Sequence, residues 1–278
     1  MLRLCKLQIT NYKLPESKQP VLGAAPEGAR DRESAAAAVR EMFSTIAPRY
    51  DLANHVLSMN VDRLWWRRAA RTFRHILQRP DARALDLCCG TGDMAFALLK
   101  QSAWERLSSA GPTRIYGADF SHAMLVRAGQ KSAGKPLAWF EADALRLPLP
   151  DAHFDLVTSA FGFRNLADYD AGLHEIARVL RLGGEVGILD FGEPKGIIGA
   201  LYHFYFRHVL PKVGTMISGV RGPYAYLPAS VARFPLPAEM MDRMRAAGFS
   251  DVTWTPYTFG IAGLYRGIKN LRMKNEVR

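Results

Sequence analysis

The feature that most constrains this chain is a glycine-bearing turn after a short apolar run. Residues 84–87 are apolar apart from Asp86 and open into Cys88-Cys89-Gly90-Thr91-Gly92-Asp93. Glycine adopts left-handed backbone at no steric cost and lets a ligand approach the main chain closely. In a doubly wound sheet such a turn lies at the carboxyl end of a strand, where ligands bind. Further apolar runs at 114–119, 137–141, 154–160 and 185–191 alternate with helical stretches at 94–100, 121–131 and 171–182, the last closed by Gly183-Gly184. That alternation predicts a mainly parallel sheet covered on both faces. A helix over 238–247 precedes runs at 252–257 and 261–268, which flank Gly260 and predict an antiparallel hairpin. The expected fold is α/β, Rossmann-like: a seven-stranded, mostly parallel, doubly wound sheet with an antiparallel terminal hairpin.

The rest of the chain divides around that unit. Residues 1–33 mix Pro15, Pro20, Gly23, Pro26 and Gly28 with scattered charges and no period, which predicts a mobile tail. Glu16, Glu27, Asp31 and Glu33 argue against the acid-poor composition of a transit peptide. Residues 34–80 read as an N-terminal helical cap, with a helix at 35–46 ended by Pro48 and a basic helix at 62–78. In the second, Arg63, Arg67, Arg71 and Arg74 share a face, while Leu64, Trp65, Ala69, Phe73, Ile76 and Leu77 fill the remainder. Residues 81–278 form the sheet domain, with an insertion at 196–235 rich in Tyr and Phe. No stretch reaches the ~18 apolar residues of a membrane span. Cys5, Cys88 and Cys89 offer no plausible disulfide, which fits a reducing, cytoplasmic compartment, and no metal site is evident.

Four acids each stand at or just past a strand: Asp86, Asp93, Asp119 and Asp143. Gly90-Thr91-Gly92-Asp93-Met94-Ala95 matches a dinucleotide fingerprint, but Asp93 would put negative charge at the helix start where a pyrophosphate should sit. S-adenosylmethionine has no phosphate and carries two cationic groups that carboxylates welcome. It is the expected cofactor, held by Asp86, Gly90, Thr91, Gly92, Asp119, Asp143 and Ala144. In this reading Asp119 accepts from the ribose hydroxyls and Asp143-Ala144 meets the adenine.

Three further motifs share a resemblance. Tyr50-Asp51-Leu52-Ala53-Asn54-His55-Val56-Leu57-Ser58 with Asp62-Arg63-Leu64-Trp65 resembles the first signature of the ubiquinone/menaquinone biosynthesis C-methyltransferase family. Phe161-Gly162-Phe163-Arg164-Asn165 resembles its substrate-side loop, and Arg178-Val179-Leu180-Arg181-Leu182-Gly183-Gly184 its second signature. The tail Tyr265-Arg266-Gly267-Ile268-Lys269 also fits, so the resemblance runs from Ala36 to Lys269. The family usually has Met where Ala53 stands, often His at Asp62, Glu-x-Ser near Asp190-Phe191-Gly192, and a cofactor-contacting Ser at Ala160.

The resemblance implies methylation of a ring carbon on a polyprenylated quinol, demethylmenaquinol first and a methoxy-benzoquinol as the alternative. It points to Arg164, Asn165 and Tyr50 as catalytic residues, with Asp51 and Asn54 lining the same pocket. Arg164 stays protonated, so it stabilises a quinolate oxygen or orients a water and leaves the base unassigned. The +11 net charge favours anionic partners. The Arg63–Arg74 face and the tail Arg266, Lys269, Arg272, Lys274 and Arg278 suggest peripheral contact with an anionic membrane. No nucleic-acid motif is visible, and a homodimer is left open. A different small-molecule methyltransferase, or a non-catalytic subunit of the same fold, is the competing reading.

Overall fold

The computed structural model describes residues 21, 23–102, 114–219 and 223–270. Seven strands form one sheet in the order β3-β2-β1-β4-β5-β7-β6. They are β1 (Arg83–Leu87), β2 (Arg114–Asp119), β3 (Leu137–Glu141), β4 (Phe154–Ala160), β5 (Leu180–Phe191), β6 (Phe249–Tyr257) and β7 (Ala262–Lys269). β1 to β5 pair in parallel, while β7 lies antiparallel between β5 and β6. The strand order reverses between β1 and β4, which opens a crevice at their carboxyl ends. Both the sheet and its closing hairpin follow the expectation.

The described residues also form eleven α-helices: α1 (Arg32–Ile46), α2 (Tyr50–Leu57), α3 (Val61–Thr72), α4 (Arg74–Leu77), α5 (Asp93–Gln101), α6 (His122–Lys131), α7 (Tyr169–Val179), α8 (Gly196–Phe204), α9 (Leu210–Ser218), α10 (Pro223–Arg233) and α11 (Pro237–Ala246). α1 starts on a capping box, in which Asp31 accepts from the Ser34 amide and Ser34 answers the Asp31 amide. One face of the sheet is buried under α3, α4 and α5 through Trp65, Phe73, Leu77, Leu98 and Leu156. The other is covered by α7 and α11 through Leu173, Ile176, Met240 and Met244. Each such side chain contributes about 1.5–3 kcal/mol on burial, so the helices that carry the site are anchored by the same core as the strands.

Three local expectations are corrected. The helix expected over 62–78 breaks at Phe73, whose backbone leaves the helical range (φ −98°, ψ 12°). The cause is tertiary: the Phe73 ring is fully buried against Gly187 of β5, where a Cβ would come within 2.4 Å of it. The helix expected over 171–182 ends at Val179, because Leu180 already pairs with Phe154 as the first residue of β5. Gly183 (φ 74°) and Gly184 therefore sit inside a strand beside a register shift, and do not close the helix. The segment 50–57 is a helix that periodicity did not reveal.

Of the expected N-terminal tail, residues 1–20 and 22 lie outside the described residues. Ala24 is buried and its amide donates to the Leu166 carbonyl at 2.8 Å. No helix among the described residues is long and apolar enough to cross a membrane.

Candidate active site

The sheet's switch point opens into a cavity of about 280 Å³. Every predicted site residue lines it except Gly92 and Asp51. Gly92 stands behind the turn as the N-cap of α5, at φ 91°, with the Trp139 ring 2.4 Å from where its Cβ would be. It serves packing and turn geometry, and the cavity wall is left to Gly90 and Thr91.

Carboxylates gather at one end. Asp86 of β1 is buried and accepts from the Ala95 amide and the Thr158 hydroxyl, both at 3.0 Å, so it ties β1, β4 and the start of α5 together. Burial pushes its carboxyl up to about 8. Asp119, the last residue of β2, accepts from the Gly90 amide at 2.8 Å and from the Ser121 amide at 2.9 Å. Burial raises it to about 6 against the pull of those amides. Asp143 is exposed and accepts from the Leu145 amide at 2.9 Å. Carboxylates held away from water, as Asp86 and Asp119 are, gain most from a cationic ligand, since charge interactions strengthen as the dielectric falls. The donor set therefore fits S-adenosylmethionine, with Asp119 and Asp143 as acceptors and the Gly90-Thr91 backbone open to close approach.

Two residues beside the turn hold backbone that side chains rarely adopt: Cys88 (φ 53°) at the end of β1 and Phe161 (φ 57°) at the end of β4. Gly162 passes so close to the first that a Cβ there would lie 2.4 Å from Cys88 Cβ. Strain of this kind persists only where surrounding structure enforces it, commonly at a functional site. Burial lifts the Cys88 and Cys89 thiols well above their usual range, so neither is a ready nucleophile.

α2 roofs this end. The Tyr50 ring lies beside Gly90, 3.9 Å from the position of a Cβ there, and burial pushes its hydroxyl up to about 12. Lys131 of α6 was not anticipated. Its ammonium reaches Asp93 at 2.8 Å, Asp51 of α2 at 3.0 Å and the Thr91 hydroxyl at 3.1 Å, which joins the roof to the cofactor turn. The Thr91 hydroxyl also donates to Asp51, so it is engaged in this cluster.

The opposite end is aromatic. Trp65, Phe161, Phe191 and Phe206 form a continuous wall with successive ring centroids 5.7, 4.8 and 5.9 Å apart. Arg164 and Asn165 stand on a short turn of helix at Phe163–Asn165, between β4 and α7. Arg164 is buried, and its Nη1 donates to Asp190 Oδ1 at 3.1 Å and to the Phe161 carbonyl. Its Nε has no hydrogen-bond partner, and the guanidinium lies 5.1 Å from the Phe191 ring centroid. Burial raises the Asp190 carboxyl and the Arg164 charge lowers it. The Tyr226 hydroxyl of α10 donates to Asn165 Oδ1 at 3.2 Å. Asp62 also lines this cavity and accepts from His55 at 2.8 Å, although sequence reasoning had not paired the two. Their seven-residue separation spans the α2–α3 junction, so no single-helix pattern could have paired them.

Of the basic tail, Arg266 is bound to Glu185 at 2.7 Å and Lys269 donates to the Leu180 carbonyl at 2.7 Å. Arg272, Lys274 and Arg278 lie outside the described residues.

Comparison with known proteins agrees with this geometry. Among solved structures, a SAM-dependent methyltransferase from Thermotoga maritima superposes with a TM-score of 0.57 over 83% of this chain and 99% of its own, at 20% identity. The [4+2]-cyclase SpnF superposes at 0.60 over 91% of this chain and 99% of its own, at 15% identity. At such identities they speak for the fold alone. The relatives in sequence are nearer. Demethylmenaquinone methyltransferase of Deinococcus radiodurans is 48% identical over 86% of this chain and 95% of its own length. The ubiquinone/menaquinone biosynthesis C-methyltransferase UbiE of Geobacter sulfurreducens is 41% identical over 84% and 89%. Residues 30–269 match the ubiE/COQ5 methyltransferase family. With its sheet, carboxylate set and signature motifs in place, this chain belongs to the ubiE/COQ5 methyltransferase family and is an S-adenosylmethionine-dependent methyltransferase.

Proposed function

We propose that this enzyme methylates a ring carbon of a polyprenylated quinol, with demethylmenaquinol as its acceptor. The observation that carries this is the division of one cavity: carboxylates at the end of β1, β2 and β3, and an aromatic wall with Arg164 and Asn165 facing the other end. An apolar pocket with a few polar anchors suits a flat quinol with a hydrocarbon tail. The relatives named for demethylmenaquinone support the naphthoquinol over the benzoquinol.

When bound, S-adenosylmethionine supplies an electrophilic methyl group. Arg164 stabilises the negative charge that develops on one quinol oxygen, and Asn165, fixed by Tyr226, donates to the second. Asp190 keeps the guanidinium oriented without taking all its donors. Asp62 is the proton acceptor on the acceptor-side wall, and His55, whose side chain is 19% exposed, passes the proton outward. Tyr50 and the Lys131 cluster close the roof over the cofactor. The reading also includes peripheral association with a membrane, where such an acceptor resides. The direct test is transfer of an isotope-labelled methyl to short-chain demethylmenaquinol and to a methoxy-benzoquinol, with the product mapped to the ring carbon. Labelling of the naphthoquinol at carbon is expected. Labelling of oxygen, or of neither quinol, would refute the assignment.

A further inference from the structure

Two helices that line the cavity, α2 and α8, carry apolar side chains on their exposed faces as well as their buried ones. In α2, Ala53 and Leu57 are buried, while Leu52 and Val56, with Met59 just past the helix end, are 59%, 46% and 78% exposed. In α8, Tyr202 is buried, while Ile197, Leu201 and Phe204 are 82%, 65% and 61% exposed. Ile197, Leu201 and Phe204 follow the i, i+4, i+7 spacing that keeps side chains on one helix face, and Leu52 and Val56 stand at i, i+4 in α2, whereas Met59 lies past the helix end at φ 52°. The helices are joined, because the Tyr205 hydroxyl donates to the Leu57 carbonyl at 2.8 Å, and Ala53, Leu57, Tyr202 and Phe206 share one buried cluster. Met59 is exposed and also lines the cavity, so the ridge borders its opening.

The charge around this ridge is mainly positive. No Asp or Glu occurs between Glu193 and Glu239, while Lys195, Arg207 and Lys212 are exposed together with His203 and His208. The one acid of α2, Asp51, is bound to Lys131. Large exposed apolar patches mark interaction sites. Apolar side chains flanked by cations match an anionic bilayer, where the former enter the headgroup boundary and the latter meet the phosphates. A second copy of the chain fits less well, since a two-fold interface would set these cations against their own copies.

We propose that the α2–α8 ridge docks this enzyme on an anionic bilayer with the cavity mouth toward the lipid, delivering the isoprenoid-tailed acceptor without a passage through water. The delivery step rests on the quinol reading above; the docking itself does not. The full-length protein is sedimented with phosphatidylglycerol/phosphatidylcholine vesicles and with phosphatidylcholine vesicles. Binding to the former, weakened by salt, is expected. The variant Leu201→Glu/Phe204→Glu should lose at least about tenfold in vesicle partition. It should keep its circular dichroism and its turnover on a tail-truncated, water-soluble quinol. Leu201→Ser/Phe204→Ser provides a milder pair if the first fails to fold. Arg67→Glu/Arg71→Glu, on the exposed face of α3, should lose less. Undiminished vesicle binding by both ridge variants would overturn the proposal. So would a wild-type dimer that the ridge variants dissociate while the wild type binds no vesicles. If the wild type methylates neither quinol yet ridge variants lose vesicle binding, docking stands and the acceptor assignment falls.

Discussion

At the cofactor end of the cavity, the functional groups stand on adjacent parallel strands, within a few residues of where β1, β2 and β3 stop. At the acceptor end they come from α2, α3, the turn after β4, and the helices between β5 and β6, brought together only by the completed fold. The first end is polar, and backbone amides from the same strand ends fix its carboxylates. The second is aromatic, with Arg164 paired to Asp190 and His55 hydrogen-bonded to Asp62. The contrast implies that cofactor binding and acceptor chemistry can be damaged separately.

The largest expected separation is at Arg164. Replacing it with Ala should lower turnover by about 10²–10³-fold, as loss of a charge-stabilising donor does elsewhere, with S-adenosylmethionine affinity little changed. Because the change strands buried Asp190 at a cost of about 3–5 kcal/mol, Arg164→Met/Asp190→Asn serves as the folding control. Parallel losses in cofactor affinity and turnover would break the division. Asp62→Asn, which keeps an acceptor for the Arg63 amide, should cost about 10²-fold in turnover as a lost proton acceptor. An unchanged rate would remove Asp62 from the mechanism.

Asp119→Asn attacks the other end. Losing a hydrogen bond to a charged group costs about 1.5–3 kcal/mol, so calorimetry should show cofactor affinity weakened by about 10–100-fold with the acceptor KM held. pH sharpens the same point. Burial raises Asp119 to about 6, so the free protein protonates it as pH falls through that value. Because the ligand needs the Asp119 carboxylate, cofactor affinity should fall by up to about tenfold per pH unit below pH 6, in addition to a change near pH 8, where Asp86 titrates. In Asp119→Asn that fall should disappear. The smallest effect belongs to Tyr226→Phe. It removes one hydrogen bond to Asn165, worth about 0.5–1.5 kcal/mol, and should raise the acceptor KM a few-fold without touching cofactor binding.

How much of this could be read from the sequence follows the same contrast. The strand runs, the glycine turn and the acids at 86, 119 and 143 are legible because the distance along the chain from strand to turn to helix is short and fixed. The acceptor end was visible only through motifs that resemble a family. Periodicity missed α2, because its eight residues span barely two turns and put apolar side chains both inside (Ala53, Leu57) and outside (Leu52, Val56). The break at Phe73 and the strand at Leu180 depend on partners more than a hundred and about twenty-five residues away, Gly187 and Phe154. Lys131 looked like one surface charge at the end of a helix until the fold set it among Asp51, Thr91 and Asp93. Likewise Asp190 appeared only as a departure from a signature, and the structure shows it as the counter-ion of Arg164.

The central claim is that one cavity joins a carboxylate-held methyl donor to a quinol ring. Mass spectrometry of the quinone pool in a strain lacking this protein tests it most directly. Demethylmenaquinone should accumulate, and the wild-type chain, but not Arg164→Ala, should restore menaquinone. A pool unchanged by the deletion would contradict the account.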